Sequence, residues 1–320
     1  MKRWNKKKSK NSELDLIKKS RYAKEYDLKI KDQVLTKGLY RFDTCPSYMR
    51  DNDWIMTGYR ANYSFKEAWI SFFEKHNECG NMWSHGIGAL IFVFLTWYTW
   101  VVPLHPNAGI NERIVLTLFV VFQFYTLFAS TLFHTHICVS EEAFIFYRCL
   151  DFSGISASLG GGCLAITYSL LHCDGSLRTF WMTVLILPHL VGVIGPCFQR
   201  WGSLEFRTGR SIIYILSVAT LIFPFLDYYL EYGTDRLPAM DKNPMLYYMG
   251  LAGVQISIGT FFYISRFPER LYPGKFDIVG NSHHFWHVLV VTSMLTMYRA
   301  LLWMISWELD DVCSSELALN

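Results

Sequence analysis

His283 and His287 stand four residues apart in the run Ser282-His283-His284-Phe-Trp-His287. On a helix that spacing stacks both imidazoles on one face. A third histidine, His134, closes the segment Ser130-Thr-Leu-Phe-His134, and a carboxylate, Asp151, lies in Arg148-Cys-Leu-Asp151-Phe-Ser-Gly154. Two stacked imidazoles and one from a neighbouring helix supply three neutral nitrogen donors, the set expected for tetrahedral zinc with a fourth position open. Asp151 would hydrogen-bond a water or a ligand imidazole and accept its proton. Ser130, one turn before His134 on the same face, would orient substrate or hydroxide. A membrane histidine by itself more often serves an interface or an interhelical hydrogen bond. The chemical reading depends on all these groups reaching one depth.

The elements that must bring them there are membrane helices. Seven stretches contain no Asp, Glu, Lys or Arg: 79–111, 114–140, 152–173, 179–199, 211–226, 243–265 and 278–298. Each approaches the ~20 apolar residues that cross a ~30 Å hydrocarbon core as a helix. The backbone must satisfy itself there, and no porin-like alternation is present, so helices are the physical choice. The predicted fold is all-α, a bundle of seven transmembrane helices near 83–102, 113–133, 149–171, 179–198, 211–231, 245–265 and 284–305. Residues 1–63 are expected to form a basic cytoplasmic region, 64–81 an interfacial amphipathic helix, 82–306 the zinc-binding bundle and 307–320 a short outer tail.

Composition agrees. Of 320 residues, 52% are hydrophobic and only 18% charged, and residues 1–81 hold 18 of the 30 Lys and Arg. So little charge over the remainder excludes a soluble surface, a nucleic-acid-binding protein and disorder for most of the chain. Basic residues stay preferentially on the cytoplasmic side. With the N-terminus inside, 25 of the 30 fall on that side and five (Arg113, Arg178, Arg236, Lys242 and Arg299) on the other. This polarity is the reverse of a G-protein-coupled receptor. It places His134, Asp151, His283 and His287 together near the inner leaflet.

Other features read more plainly. No apolar core follows the basic start, so no signal peptide is expected. Residues 1–40 read as a partly disordered tail, solvated or held to anionic headgroups. Ser64 and Glu67 form a capping-box pattern ahead of Phe65, Trp69, Phe72, Phe73 and His76, an amphipathic helix lying on the membrane or packed on the bundle. The sequon Asn62-Tyr63-Ser64 should be unmodified on the inner side. His136 and His284 point away from the site by helical angle. His189 reads as packing, Asp227 as interfacial, and Gly160-Gly161-Gly162 as a close helix contact. The eight cysteines include no Cys-x-x-Cys, and neither a thiolate metal site nor a disulfide framework is expected.

Four ordered segments carry a resemblance. They are His76-Asn-Glu78-Cys-Gly-Asn81-Met-Trp83-Ser84-His85, Ser130-x-x-x-His134, Asp151-x-x-Gly154, and Arg266-Phe-Pro-Glu-Arg-Leu-Tyr-Pro-Gly-Lys-Phe-Asp through His287. Together they resemble the progestin and adipoQ receptor family, which includes adiponectin receptors and haemolysin III-related proteins; the Pro-Gly-Lys-Phe-Asp stretch looks most like the adiponectin-receptor branch. The resemblance runs from about Asp51 to residue 298. Cys79 stands where the family commonly has Thr, and His284 where it has Gln.

The resemblance implies seven helices with the N-terminus inside and a zinc ion on His134, His283 and His287, with Asp151 and Ser130 beside it. It also implies membrane-lipid partners, ceramide or fatty acid, at the plasma membrane or an endomembrane. Two functions follow: a ceramidase-like zinc amidase, with Asp151 and Ser130 in catalytic roles, or a receptor or lipid sensor with a structural zinc. The short outer tail and loops offer little surface for a large protein hormone. A metal transporter is disfavoured, because the ionisable residues gather at one leaflet instead of forming a path across.

Overall fold

The computed structural model describes residues 36–202, 206–234, 237–239, 241–311 and Cys313. The basic segment before residue 36, Arg236 and the last seven residues of the tail lie outside the described residues. A two-stranded antiparallel ribbon, β1 (Gly38–Tyr40) and β2 (Tyr59–Ala61), comes first, with Gly38 opposite Ala61. A short helix, α1 (Phe65–Ile70), follows and continues as a 3-10 turn to Phe73.

Then come the long helices α2 (Cys79–Val101), α3 (Ile110–His136), α4 (Glu141–Leu170), α5 (Gly175–Ile194), α6 (Arg207–Ala219), α7 (Ile222–Tyr232), α8 (Met245–Ser265) and α9 (Ser282–Asp310). Taking α6 and α7 as one span, seven are long and apolar enough to cross a membrane. Their outward faces carry Leu90, Leu187, Ile215 and Phe261, each more than 60% exposed. Such a surface is stable only against lipid. The protein is a multi-pass integral membrane protein built as an all-α seven-helix bundle.

Local chemistry sets the helix ends. The capping box at α1 forms: the Ser64 backbone N–H donates to Glu67 Oε2 at 2.9 Å, and Ser64 Oγ accepts from Glu67 N. The amphipathic helix is shorter than its pattern, ending at Ile70 because the chain must turn into α2. It packs against α3 through Ala68 and leaves Phe73 81% exposed. Helix α4 begins at Glu141, eight residues before the predicted start. Ser140 accepts from Ala143 N at 3.1 Å, and Glu141 and Glu142 occupy the positive end of the helix dipole, where acids are favourable. The fifth span breaks at Thr220-Leu221, where Pro224 removes the N–H that would bond to Thr220.

Residues 36–63 are more than a tail. Cys45, Met49, Ile55, Tyr59, Ala61 and Tyr63 form a buried cluster with Ile137, Cys138 and Phe144, so this cap packs onto the turn joining α3 to α4. Two carboxylates fasten it to the loop before α9. Asp277 accepts from Met56 N at 2.9 Å and Thr57 Oγ1 at 2.6 Å; Glu269, fully buried, accepts from Asn52 Nδ2 at 3.1 Å and Ser282 N at 2.8 Å.

The main core lies between α2, α3, α4 and α9, with Phe92, Leu116, Phe119, Leu127 and Leu301 almost wholly buried. Helices approach closely at glycines. A Cβ on Gly154 would lie 2.9 Å from Thr126 Cα, and one on Gly161 would lie 2.7 Å from the Phe122 ring. In the predicted glycine run, Gly160 and Gly161 make close contacts, whereas Gly162 meets nothing within 4 Å. The expectation of no disulfide needs correction: Cys173, after α4, is bonded to Cys313, after α9. A separation of 140 residues left no spacing signal in the sequence.

Candidate metal centre

Helix α3 ends at His136, which puts His134 in its last turn; α9 begins at Ser282, which puts His283 and His287 in its first two turns. Asn281 fixes the start of α9, since its Oδ1 accepts from both His283 N and His284 N at 3.1 Å. The three imidazoles therefore converge from two helix ends. One nitrogen from each of His134, His283 and His287 lies within 4.8 Å of the others. The ring centroids are 5.3 Å apart for His134 and His283, 4.8 Å for His134 and His287, and 4.6 Å for His283 and His287. His134 and His287 are buried, and His283 is half-buried.

Hydrogen bonds specify which nitrogens face inward. His134 Nδ1–H donates to Glu78 Oε2 at 2.7 Å, leaving Nε2 with its lone pair. His287 Nδ1–H lies 3.3 Å from both the Asn81 carbonyl and Ser84 Oγ, again leaving Nε2. His283 Nδ1 is buried with no partner. Three converging imidazoles, one of them with an orphaned buried nitrogen, fit a divalent metal with nitrogen ligands, zinc foremost.

Asp151, on α4, lines a cavity of about 400 Å³ that His134 and His283 also line, together with Glu78, Tyr48 and Arg148. The Ser130 hydroxyl, buried one turn below His134, donates to Asp151. The structure thus brings together all five residues singled out from the sequence. It assigns the contact to the ligand imidazole differently, however: Glu78, not Asp151, holds His134. The Tyr48 phenol, outside the spans, has its pKa raised by burial to about 12 and remains a neutral O–H at the cavity wall.

Three other histidines stay outside the cluster. His136 Nδ1 bonds to the Leu132 carbonyl at 2.9 Å and its ring stacks on Tyr147; His284 Nδ1 accepts from Gly280 N at 3.0 Å and its ring presses against Gly80. His189 packs on Gly160. Asp227 accepts from Trp181 Nε1 at 2.5 Å.

Sequence reasoning missed three supports. Glu78 stood out in the sequence only as one member of the motif His76 to His85. His85 stacks on His287 with ring centroids 3.6 Å apart. Arg60, almost fully buried, donates from Nη2 to the His134 carbonyl at 2.7 Å and from Nη1 to Ser71 Oγ. The fixed order of Glu78, Asn81, Ser84 and His85 in one motif was the available signal, since helical spacing lines these residues up along the start of α2.

Comparison with known proteins bears on the fold. The chain is 29% identical over 270 residues to heptahelical transmembrane protein 1 of Arabidopsis thaliana, covering 82% of this chain and 80% of that one. It is 26% identical over 263 residues to the adiponectin receptor protein of Drosophila melanogaster, covering 81% of this chain but 58% of the receptor. It is 25% identical over 278 residues to the human progestin and adipoQ receptor family member 3, covering 86% and 88%. Residues 73–298 match the family described as haemolysin-III related. That match takes in more than half of the chain and all three histidines, and the protein belongs to the haemolysin-III-related family, with the progestin and adipoQ receptors.

Proposed function

We propose that this protein is a zinc-dependent lipid amide hydrolase acting on N-acyl sphingoid substrates of the ceramide class, with its centre on His134, His283 and His287. The carrying observation is the convergence of three imidazoles, two of which, His134 and His283, line one cavity with Asp151, the acid that Ser130 hydrogen-bonds. Zinc, when bound, supplies Lewis-acid polarisation of a carbonyl and activation of water. Asp151 acts as general base towards the attacking water and returns the proton to the leaving amine as the C–N bond breaks, so that a fatty acid and a sphingoid base leave. Ser130 holds the Asp151 carboxylate in its orientation through their hydrogen bond. The cap lines this cavity through Tyr48, Ile55 and Tyr59, and Asn281 ahead of α9 lines it too, which lowers the local dielectric and strengthens these electrostatic interactions.

The N-terminus is assigned to the cytosol. The asymmetry of basic residues supports this, and the Cys173–Cys313 disulfide lies at the helix ends remote from His134 and His283. Disulfides persist in oxidising compartments, which supports an outer or lumenal position for that end.

A second reading is a receptor or lipid sensor whose zinc is structural, and the name of the Drosophila relative favours it. Turnover separates the two. Purified protein with bound zinc should release fatty acid from at least one N-acyl sphingoid, and Asp151→Asn should abolish release while keeping the metal. A zinc-loaded wild type that binds such lipids without releasing fatty acid would favour the sensor.

A further inference from the structure

Helix α2 supplies none of the three candidate ligands, yet its cap residue and first turns touch two of them. We propose that Glu78 is the positioning residue that sets how tightly the three-histidine centre holds a divalent metal, a proposal that rests on the metal reading above. The His134 side chain can present either ring nitrogen. The bond of 2.7 Å from Nδ1–H to Glu78 Oε2 selects the tautomer whose Nε2 lone pair faces the other histidines. A carboxylate in this place also raises the basicity of the imidazole.

Glu78 is itself held. Asn81 Nδ2 donates to the same oxygen at 2.7 Å, and its side chain is only 15% exposed. Arg60 grips the backbone of the same histidine through its carbonyl, so ring and main chain of His134 are both fixed by the segment leading into α2.

Charge supports the assignment. A dication on three neutral imidazoles would leave two uncompensated positive charges in a low-dielectric interior, which is costly. Among the described residues, Asp51, Glu78, Glu141 and Asp151 line the cavity, and of these Glu78 and Asp151 are the two that interact with His134. Together they balance the ion. Both acids line the cavity, and Glu78 is the one bonded to His134 Nδ1. The two acids therefore divide the work, with Glu78 serving metal retention and Asp151 left for the reaction.

The test uses the full-length protein purified in detergent, with zinc affinity read by competition against a chromophoric chelator and coordination read from the visible absorption of the cobalt-substituted form. Glu78→Ala should weaken zinc binding by about 10–100-fold and alter the cobalt bands, the range typical of lost outer-shell partners. Glu78→Gln keeps an oxygen that accepts from Nδ1–H but loses the charge, and should recover part of the affinity. A merely structural role would lower thermal stability while leaving affinity and cobalt spectrum as in wild type. That result in either variant overturns the proposal, and Glu78→Gln decides alone if the alanine variant does not fold. If wild type itself takes up no zinc or cobalt, the metal reading falls and the proposal with it. If His134→Ala loses metal while Glu78→Ala does not, only the positioning role falls.

Discussion

Removing one imidazole from the centre leaves two nitrogen donors, too few to hold zinc against competing chelators. His134→Ala, His283→Ala and His287→Ala should each lower bound zinc from about one per chain to near zero, read by elemental analysis of purified protein; normal metal in all three would dismiss the site. A subtler test concerns His76, buried outside the spans. Burial, with the nearby Arg60 guanidinium, depresses its pKa to about 4, and the neutral ring both donates to the Ser71 carbonyl and accepts from Glu78 N. Because the folded pKa lies below the unfolded value of 6.5, this stability is complete above pH 6.5 and is lost as pH falls towards 4. Metal-free protein should lose up to about 3 kcal/mol over that window, and His76→Gln should flatten the thermal-unfolding profile. A profile unchanged by the substitution would remove His76 as the cause.

At the scale of elements, the site depends on where helices begin and how closely they approach. Asn281→Ala deletes the cap that starts α9 and should cost about 1 kcal/mol in thermal unfolding, with weaker zinc retention because His283 lies in the first turn. Gly154→Val forces a side chain against Thr126 Cα, 2.9 Å from the position of a Cβ, and should cost about 1–3 kcal/mol by separating the helices that carry His134 and Asp151.

Much of this element level could be read beforehand, because charge-free runs of bilayer length have few alternatives. Helix α8, Met245–Ser265, coincides with its predicted span. Misplaced ends share a cause. The charged residues Glu141, Glu142 and Arg148 looked like a loop, yet acids at a helix N-terminus are favourable and extend α4 beyond its apolar run. His134, His283 and His287 were legible through type, spacing and alternation of the helices. Glu78 was not, since its partner lies 56 residues away and only the fold brings the α2 cap to the end of α3.

The whole molecule is a membrane bundle closed at one end by a folded cap and stapled at the other by Cys173–Cys313. The staple spans 140 residues, and its loss by Cys313→Ser should reduce stability by about 2–4 kcal/mol, provided the unfolded state is otherwise unchanged. In intact cells, maleimide should reach this end from the non-cytosolic side after reduction. Labelling only from the cytosol would reverse the assigned orientation.

Cap and staple hold opposite ends of α4 and α9, so the helices carrying Asp151, His283 and His287 are restrained at both faces. The central claim is that the restrained centre is hydrolytic. It is tested most directly by measuring zinc content and fatty-acid release in the same purified samples of wild type and Asp151→Asn, across a panel of N-acyl sphingoid substrates. The expected result is about one zinc in both, with release by wild type and a loss of at least about 100-fold in the variant, the scale of a missing general base. Equal release by both proteins, or no release by zinc-loaded wild type from any substrate, would contradict it.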